Sequence, residues 1–232
     1  MKNIKIVYGR NGSGIHRRMR SKVADFAAHA AAEDRAFFIV PDQYTLTAER
    51  FLLAAVGEKA LRNICVVSFK RLASLSFSEK GKTFDFVGEG GRAALVSAAF
   101  DAVSPQLKYY AGYSDFYFNE ALCERIKMFK EYSVSPDALL SAETSDAVRD
   151  LALIYGMYDS LLGADRADPA DNLRLFAELI AEHGLFRGTT VFIDFFKVLN
   201  ASELSVVRAL YEAGAEINVG LVEDESRDDC GI

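Results

Sequence analysis

Apolar positions along this chain change their spacing twice. The opening run Ile4-Lys5-Ile6-Val7-Tyr8 is short, β-branched and stopped by Gly9, which predicts a buried strand. Met19, Val23, Phe26, Ala27 and Ala30 then recur at helical spacing, with basic residues mostly on the other face. Residues 37–40 read as a second strand, ended by Pro41, which cannot donate to a ladder. Residues 45–56 predict a helix closing at Gly57, and residues 64–67 a third strand. From about 91 to 183 the period is helical almost throughout, with helices expected over 92–103, 114–132, 145–162 and 171–183. Pro105, Pro136 and Pro169 fall between or just before them. The strand pattern returns at 189–193 and 216–221, around a helix opened by Asn200 with Glu203 and closed at Gly214. Strands alternating with helices at both ends predict an α/β fold with a parallel sheet covered on both faces. Residues 1–90 and 184–232 would form that domain, and residues 91–183 an all-helical insertion into it.

Composition narrows the class. Half of the 232 residues are hydrophobic and 26% are charged, so the chain can bury a core and is not a disordered tract. No apolar run approaches the ~18 residues of a spanning helix, and the first residues are too short in apolar core for a signal peptide. Cys65, Cys123 and Cys230 are odd in number and far apart, which suits reduced thiols rather than a disulfide framework or zinc site. His16, His29 and His183 have no metal-ligand spacing. A cytoplasmic protein without a membrane partner is expected.

The net charge of −6 conceals an asymmetry. Lys2, Lys5, Arg10, Arg17, Arg18, Arg20 and Lys22 precede any acidic residue, leaving 20 of the 27 basic groups against 33 acidic ones in the remainder. Globally the chain is a poor generic phosphate binder, but its N-terminal segment suits one, or is a solvated helix face.

That segment contains a strand, a glycine-rich turn and a helix, the setting of a phosphate-binding loop with the pattern G-x-x-x-x-G-K-[ST]. Gly9, Arg10, Asn11, Gly12, Ser13 and Gly14 keep the glycine spacing, but Ile15 replaces the lysine and His16 the hydroxyl residue. The turn can still aim backbone N–H groups and a helix dipole at an anion. It has lost the lysine that reaches the β- and γ-phosphates and the hydroxyl that holds Mg²⁺. The second nucleotide element, an apolar strand ending in an acid, is present as Val191-Phe192-Ile193-Asp194, followed by Phe195 rather than a second acid. Little or no ATP hydrolysis is expected. ATP with Mg²⁺ held without turnover remains one reading, and a fold kept only as a scaffold is the other. A stand-alone phosphotransferase is disfavoured by the missing lysine.

Seven stretches in order resemble the N-terminal region of the B subunit of AddAB-type (RexAB-type) helicase–nucleases. They are YGRNGSG, FIVPDQYTLTAERFLL, VVSFKRLA, GRAALV, IKMFKEYSVSPDALL, RDLALIYGMYDSLL and VFIDFFKVLNASELSVVRAL. The resemblance implies a helicase-like core similar to UvrD and Rep, with a RecA-like domain (1A) interrupted by a helical subdomain (1B). It implies an inactivated motor that holds DNA, a double-strand end or a single strand, beside a catalytic AddA-type partner subunit. It also implies that the second motor domain and the nuclease with its iron–sulfur cysteines lie beyond these residues, so no such cluster is expected here. By the same resemblance Ser68, Lys70 and Arg71 match a segment that contacts DNA backbone, the alternative being a solvated helix start. Gln43 and Glu49 match a VPEQ-like segment with a structural role expected first, Gln43 bonding to the loop backbone and Glu49 pairing with a nearby cation. Gln43 is also a nucleotide-binding candidate. Tyr109 and Tyr110 open an aromatic cluster suited to stacking on unpaired bases, whereas Phe118 and its neighbours at helical spacing read as core. Asp165, Asp168 and Asp171 read as helix-capping residues around Pro169.

Overall fold

The structure, a computed structural model, describes residues 3–223 apart from 11, 59, 114, 115, 143, 144 and 164. Its element order begins β1 (Asn3–Arg10), α1 (Ile15–His29), β2 (Ala36–Ile39), α2 (Thr45–Val56), α3 (Ala60–Asn63), β3 (Ile64–Val67) and α4 (Phe69–Glu79). It continues with β4 (Asp85–Phe86), α5 (Glu89–Val103), α6 (Phe116–Glu131), α7 (Pro136–Ala142), α8 (Asp146–Leu162), β5 (Arg166–Ala167) and α9 (Asn172–His183). It closes with β6 (Thr190–Ile193), α10 (Ala201–Ala213) and β7 (Glu216–Glu223).

Five strands form one wholly parallel sheet in the order β1-β7-β6-β2-β3, as in a RecA-like α/β fold. Because every pairing is parallel, all carboxyl ends lie along one edge of the sheet. The turns after β1, β2, β3 and β6 therefore emerge together, the edge at which open α/β sheets bind ligands. The middle strands read as continuous apolar runs because both of their faces are covered. On one face α1 contributes Ile15, Met19 and Val23 to a core with Phe38, Leu52, Ile64 and Phe192. β1 is a strand as expected but not a buried one: it lies at the edge of the sheet, where Ile4, Ile6 and Tyr8 on one of its faces are left exposed.

The chain divides into two compact units, one of Met1–Glu79, Phe176–Leu199 and Glu203–Ile232, the other of Lys80–Leu175 and Asn200–Ser202. These limits differ from the change of period at 91 and 183 for identifiable reasons. Asp85 and Phe86 pair with Arg166 and Ala167 in a two-strand ladder, which holds residues before 91 in the helical unit. In the sheet unit, Phe176 of α9 meets the rings of Phe77 and Phe186. The helical unit has its own core, built by Val96, Phe100, Leu122, Ile126, Ile154, Tyr155 and Tyr158. α8 shows how locally such a helix is specified. Ser145 Oγ accepts the Val148 N–H at 3.3 Å at its start, and Gly163 at φ 72° ends it.

Among the described residues no helix is long and apolar enough to cross a membrane.

Candidate functional site

The turn after β1 is built by its glycines. The Ser13 N–H donates to the Arg10 carbonyl at 3.0 Å, while Gly12 and Gly14 take φ values of 82° and 80°. Only glycine adopts that region without penalty. At Gly9 the packing is close instead: a Cβ there would lie 2.8 Å from Ser13 Oγ, so that hydroxyl would have to turn away. Gly14 begins α1 with no side-chain cap and no acidic residue in the first turn, so the helix N-terminus retains its positive end. A cleft of about 260 Å³ beside it is lined by Arg10, Gly12, Gly14, His16, Arg17 and Arg20. Asn11 lies outside the described residues.

The two residues after the glycines decide what this turn can do. Ile15 is 3% exposed and packs in the core with Met19 and Val23, so the position that carries lysine in nucleotide-binding loops points into the protein. His16 turns the other way. Its Nδ1 hydrogen-bonds Asp194 Oδ1 at 2.8 Å across 178 residues of sequence. Its ring stacks on Phe195 with centroids 4.3 Å apart and an interplanar angle of 5°, and Tyr44 also stacks on Phe195, at 4.9 Å and 18°. Phe195 sits at φ 69°, a left-handed conformation that costs a non-glycine residue about 1–2 kcal/mol.

Asp194 follows β6 and is completely buried. Its backbone N–H donates to Ile39 O at 3.1 Å, and a Cβ on Gly220 would come within 2.7 Å of its Oδ1. Burial raises its carboxyl pKa above the ordinary value, partly offset by the bond to His16, the Phe195 N–H and the charges of His16 and Arg20. Its Oδ2 is buried and has no hydrogen-bond partner among the described residues. An orphan carboxylate oxygen suits a cation, but the surroundings do not. Mg²⁺ requires a near-octahedral oxygen shell at about 2.0–2.1 Å and keeps several waters. Here an imidazole rests on Oδ1, Gly220 backs it, and the required hydroxyl at position 16 is absent. The side chains present do not fit the metal ion.

The remaining candidates fall into two groups. In the sheet unit Gln43 is exposed in a 3-10 turn, Asp42–Tyr44, after β2. Ser68 is buried after β3, where its Oγ accepts the Arg71 N–H at 3.3 Å and so caps α4. Lys70 and Arg71 are exposed. In the helical unit, Tyr109 is 58% exposed while Tyr110 is half-buried against the core. Their turn hangs from Asp150 Oδ2, which accepts the N–H groups of Lys108, Tyr109 and Tyr110 at 2.9, 2.7 and 3.1 Å.

Sequence reasoning missed the roles of Arg92, Lys130 and Asp150. Asp168 does cap Ala170 N–H at 2.8 Å, as its place beside Pro169 suggests. It also receives both Arg92 Nε, at 3.1 Å, and Arg92 Nη2, together with the Tyr158 hydroxyl. Lys130 is buried between Asp159 and Asp171, 2.8 Å from each. The available signal was a lysine on the apolar face of α6, four residues after Ile126 and eight after Leu122. Among the described residues no group of three His, Cys, Asp or Glu side chains is arranged to hold a metal ion.

Comparison with known proteins joins these observations. The family described as "ADDB, N-terminal" matches residues 6–230. A protein of Thermoanaerobacter sp. (strain X514), named as the B subunit of an "ATP-dependent helicase/deoxyribonuclease", is 31% identical over 97% of this chain and 20% of its own length. Proteins of the same name from Acetivibrio thermocellus and Clostridium perfringens are 25% and 27% identical, each over 96% of this chain and 20% of their own length. The chain thus spans about a fifth of the length of the curated relatives it matches. With a family match running almost from end to end, the chain belongs to the AddB N-terminal family.

Proposed function

We propose that this chain is an inactivated helicase-like module of the B subunit of a cytoplasmic helicase–nuclease that processes double-strand DNA breaks, and that it holds DNA and scaffolds an AddA-type partner instead of hydrolysing ATP. The observation that carries this reading is the fate of Ile15 and His16. One is in the core and the other is bonded to Asp194, so neither lysine nor hydroxyl reaches a phosphate or its metal. Exposed Lys70 and Arg71 supply phosphate contacts, and Tyr109 a stacking face for an unpaired base. Such binding weakens steeply with salt, because each neutralised phosphate releases counterions. The test is fluorescence anisotropy with a single-stranded and a blunt duplex oligonucleotide, run beside an ATPase assay. Salt-sensitive binding weakened by Lys70→Ala and Arg71→Ala, without turnover, is expected. ATP turnover at the rate of an active motor overturns the reading.

A second reading draws on the uncapped N-terminus of α1 beneath three arginines, which suits a polyphosphate. ATP would then dock on Gly9–Gly14 as a switch without turnover. It predicts thermal stabilisation by ATP, because a ligand that binds only the folded state must raise stability.

A further inference from the structure

We infer that His16 is a built-in plug of a latent divalent-cation site at Asp194: the imidazole occupies the carboxylate that a metal would need, and its removal opens the site.

The inference rests on the proposed loss of motor function and goes further, because it assigns the block to one removable side chain. Asp194 has two oxygens. Oδ1 is bonded to His16 Nδ1 at 2.8 Å and lies beside Gly220, where an added Cβ would come within 2.7 Å of it. Oδ2 is buried and without a hydrogen-bond partner among the described residues, an arrangement that carries a desolvation cost and that a cation would relieve. The contact that can be removed is on the other oxygen, Oδ1, where the group in hydrogen-bond distance is a side chain. The glycine turn keeps its left-handed residues at Gly12 and Gly14, and β6 keeps its parallel register with β7, placing Asp194 level with Gly220. The His16 side chain belongs to a stack, in which its ring lies flat on Phe195 and Tyr44 supports Phe195 in turn, so the imidazole is held at Oδ1.

Each part of the stack acts on the next. Phe195 is held at positive φ, and its ring gives the imidazole a face to rest on. The imidazole then makes to Asp194 the contact that a hydrated cation would otherwise make. Electrostatically the substitution is economical. A group on the protein's own helix neighbours the buried carboxylate at all times, so no ion has to be recruited and none has to be dehydrated. The prediction concerns position 16 in particular. A short hydroxyl side chain there vacates the space over Oδ1 and adds an oxygen ligand, whereas asparagine keeps a hydrogen bond to Asp194 and leaves the site closed.

Mn²⁺ is the probe, with free ion measured by electron paramagnetic resonance on the purified 232-residue chain. The expected result is no Asp194-dependent Mn²⁺ binding in the unmodified chain, with affinity rising at least about tenfold in His16→Thr, a change of ~1.4 kcal/mol. Asp194→Asn in that background should abolish the gain, and His16→Asn should show none. Mn²⁺ binding by the unmodified chain that Asp194→Asn removes overturns the inference, and so does a folded His16→Thr that binds no more ion than the parent. The parent measurement stands even if a variant fails to fold. An ATPase assay on the same samples separates the two claims. Turnover by the parent defeats the proposed function, while Asp194-dependent binding without turnover defeats only the plug.

Discussion

Asp194 in the sheet unit and Asp168 in the helical unit are both fully buried carboxylates, yet their environments act in opposite directions. Burial raises the pKa of each. At Asp168 the Arg92 guanidinium, the Tyr158 hydroxyl and the Ala170 N–H outweigh it, and the carboxyl titrates below its ordinary range. At Asp194 His16 and one backbone N–H do not, and the carboxyl titrates above it. Burial alone therefore does not decide whether a buried acid supports a fold; the number and charge of its partners do. Asp168 joins α5, α8 and the turn before α9. Asp194 is a costly acid with few partners at the edge of the sheet where the carboxyl ends of the strands emerge.

The severest test of this contrast is to remove partners. Arg92→Ala leaves the buried Asp168 charge uncompensated and should destabilise the protein by about 3–5 kcal/mol, read as the shift in urea midpoint at constant slope. A loss no larger than that of an exposed ion pair would show that Asp168 is not the anchor of the helical unit. Tyr158→Phe removes one hydrogen bond to a charged acceptor and should cost about 1.5–3 kcal/mol. Against these, Asp194→Asn should change stability at neutral pH by no more than about 0.5–1.5 kcal/mol, the worth of an ordinary hydrogen bond, or should stabilise.

The two acids also differ in the sign of their pH dependence. Asp194 has a raised folded pKa, so its stabilising contribution is complete below the unfolded carboxylate value of about 3.9 and is lost as pH rises through the folded value. Asp194→Asn should gain on the parent as pH climbs through that window. Asp168 has a lowered folded pKa, so its contribution is present above about 3.9 and is lost as pH falls toward the folded value. Relative to the parent, the melting temperatures of Asp194→Asn and Asp168→Asn across acidic pH should diverge in opposite directions, and parallel curves would refute the contrast. The smallest effect concerns Ser68→Ala, which removes a helix cap worth ~1 kcal/mol. It should lower stability and leave DNA affinity unchanged, whereas Lys70→Ala should do the reverse.

Much of the architecture is legible from local chemistry. Strand 64–67 and helix 45–56 coincide with β3 and α2, because short β-branched runs and capped apolar periods need little tertiary help. The expected helices over 92–103 and 145–162 appear as α5 from Glu89 and α8 from Asp146, small shifts at ends that fray. The two-residue ladder of β4 and β5 is too short to leave a period, and α7, starting at Pro136, hides behind a residue read as a boundary.

The strand–turn–helix at the N-terminus, its glycine spacing, and the missing lysine and hydroxyl at positions 15 and 16 can all be read from the chain before it folds. These are properties of neighbouring residues, and backbone sterics and side-chain chemistry act over such short spans. What fills the vacated roles depends on the assembled sheet. His16 finds Asp194 because the parallel order β1-β7-β6 brings the two carboxyl-terminal turns to one edge, and Arg92 finds Asp168 across 76 residues of chain. Periodicity reports which face of an element is apolar. It carries no record of which polar groups meet once those faces are buried, and that meeting gave each buried acid its role.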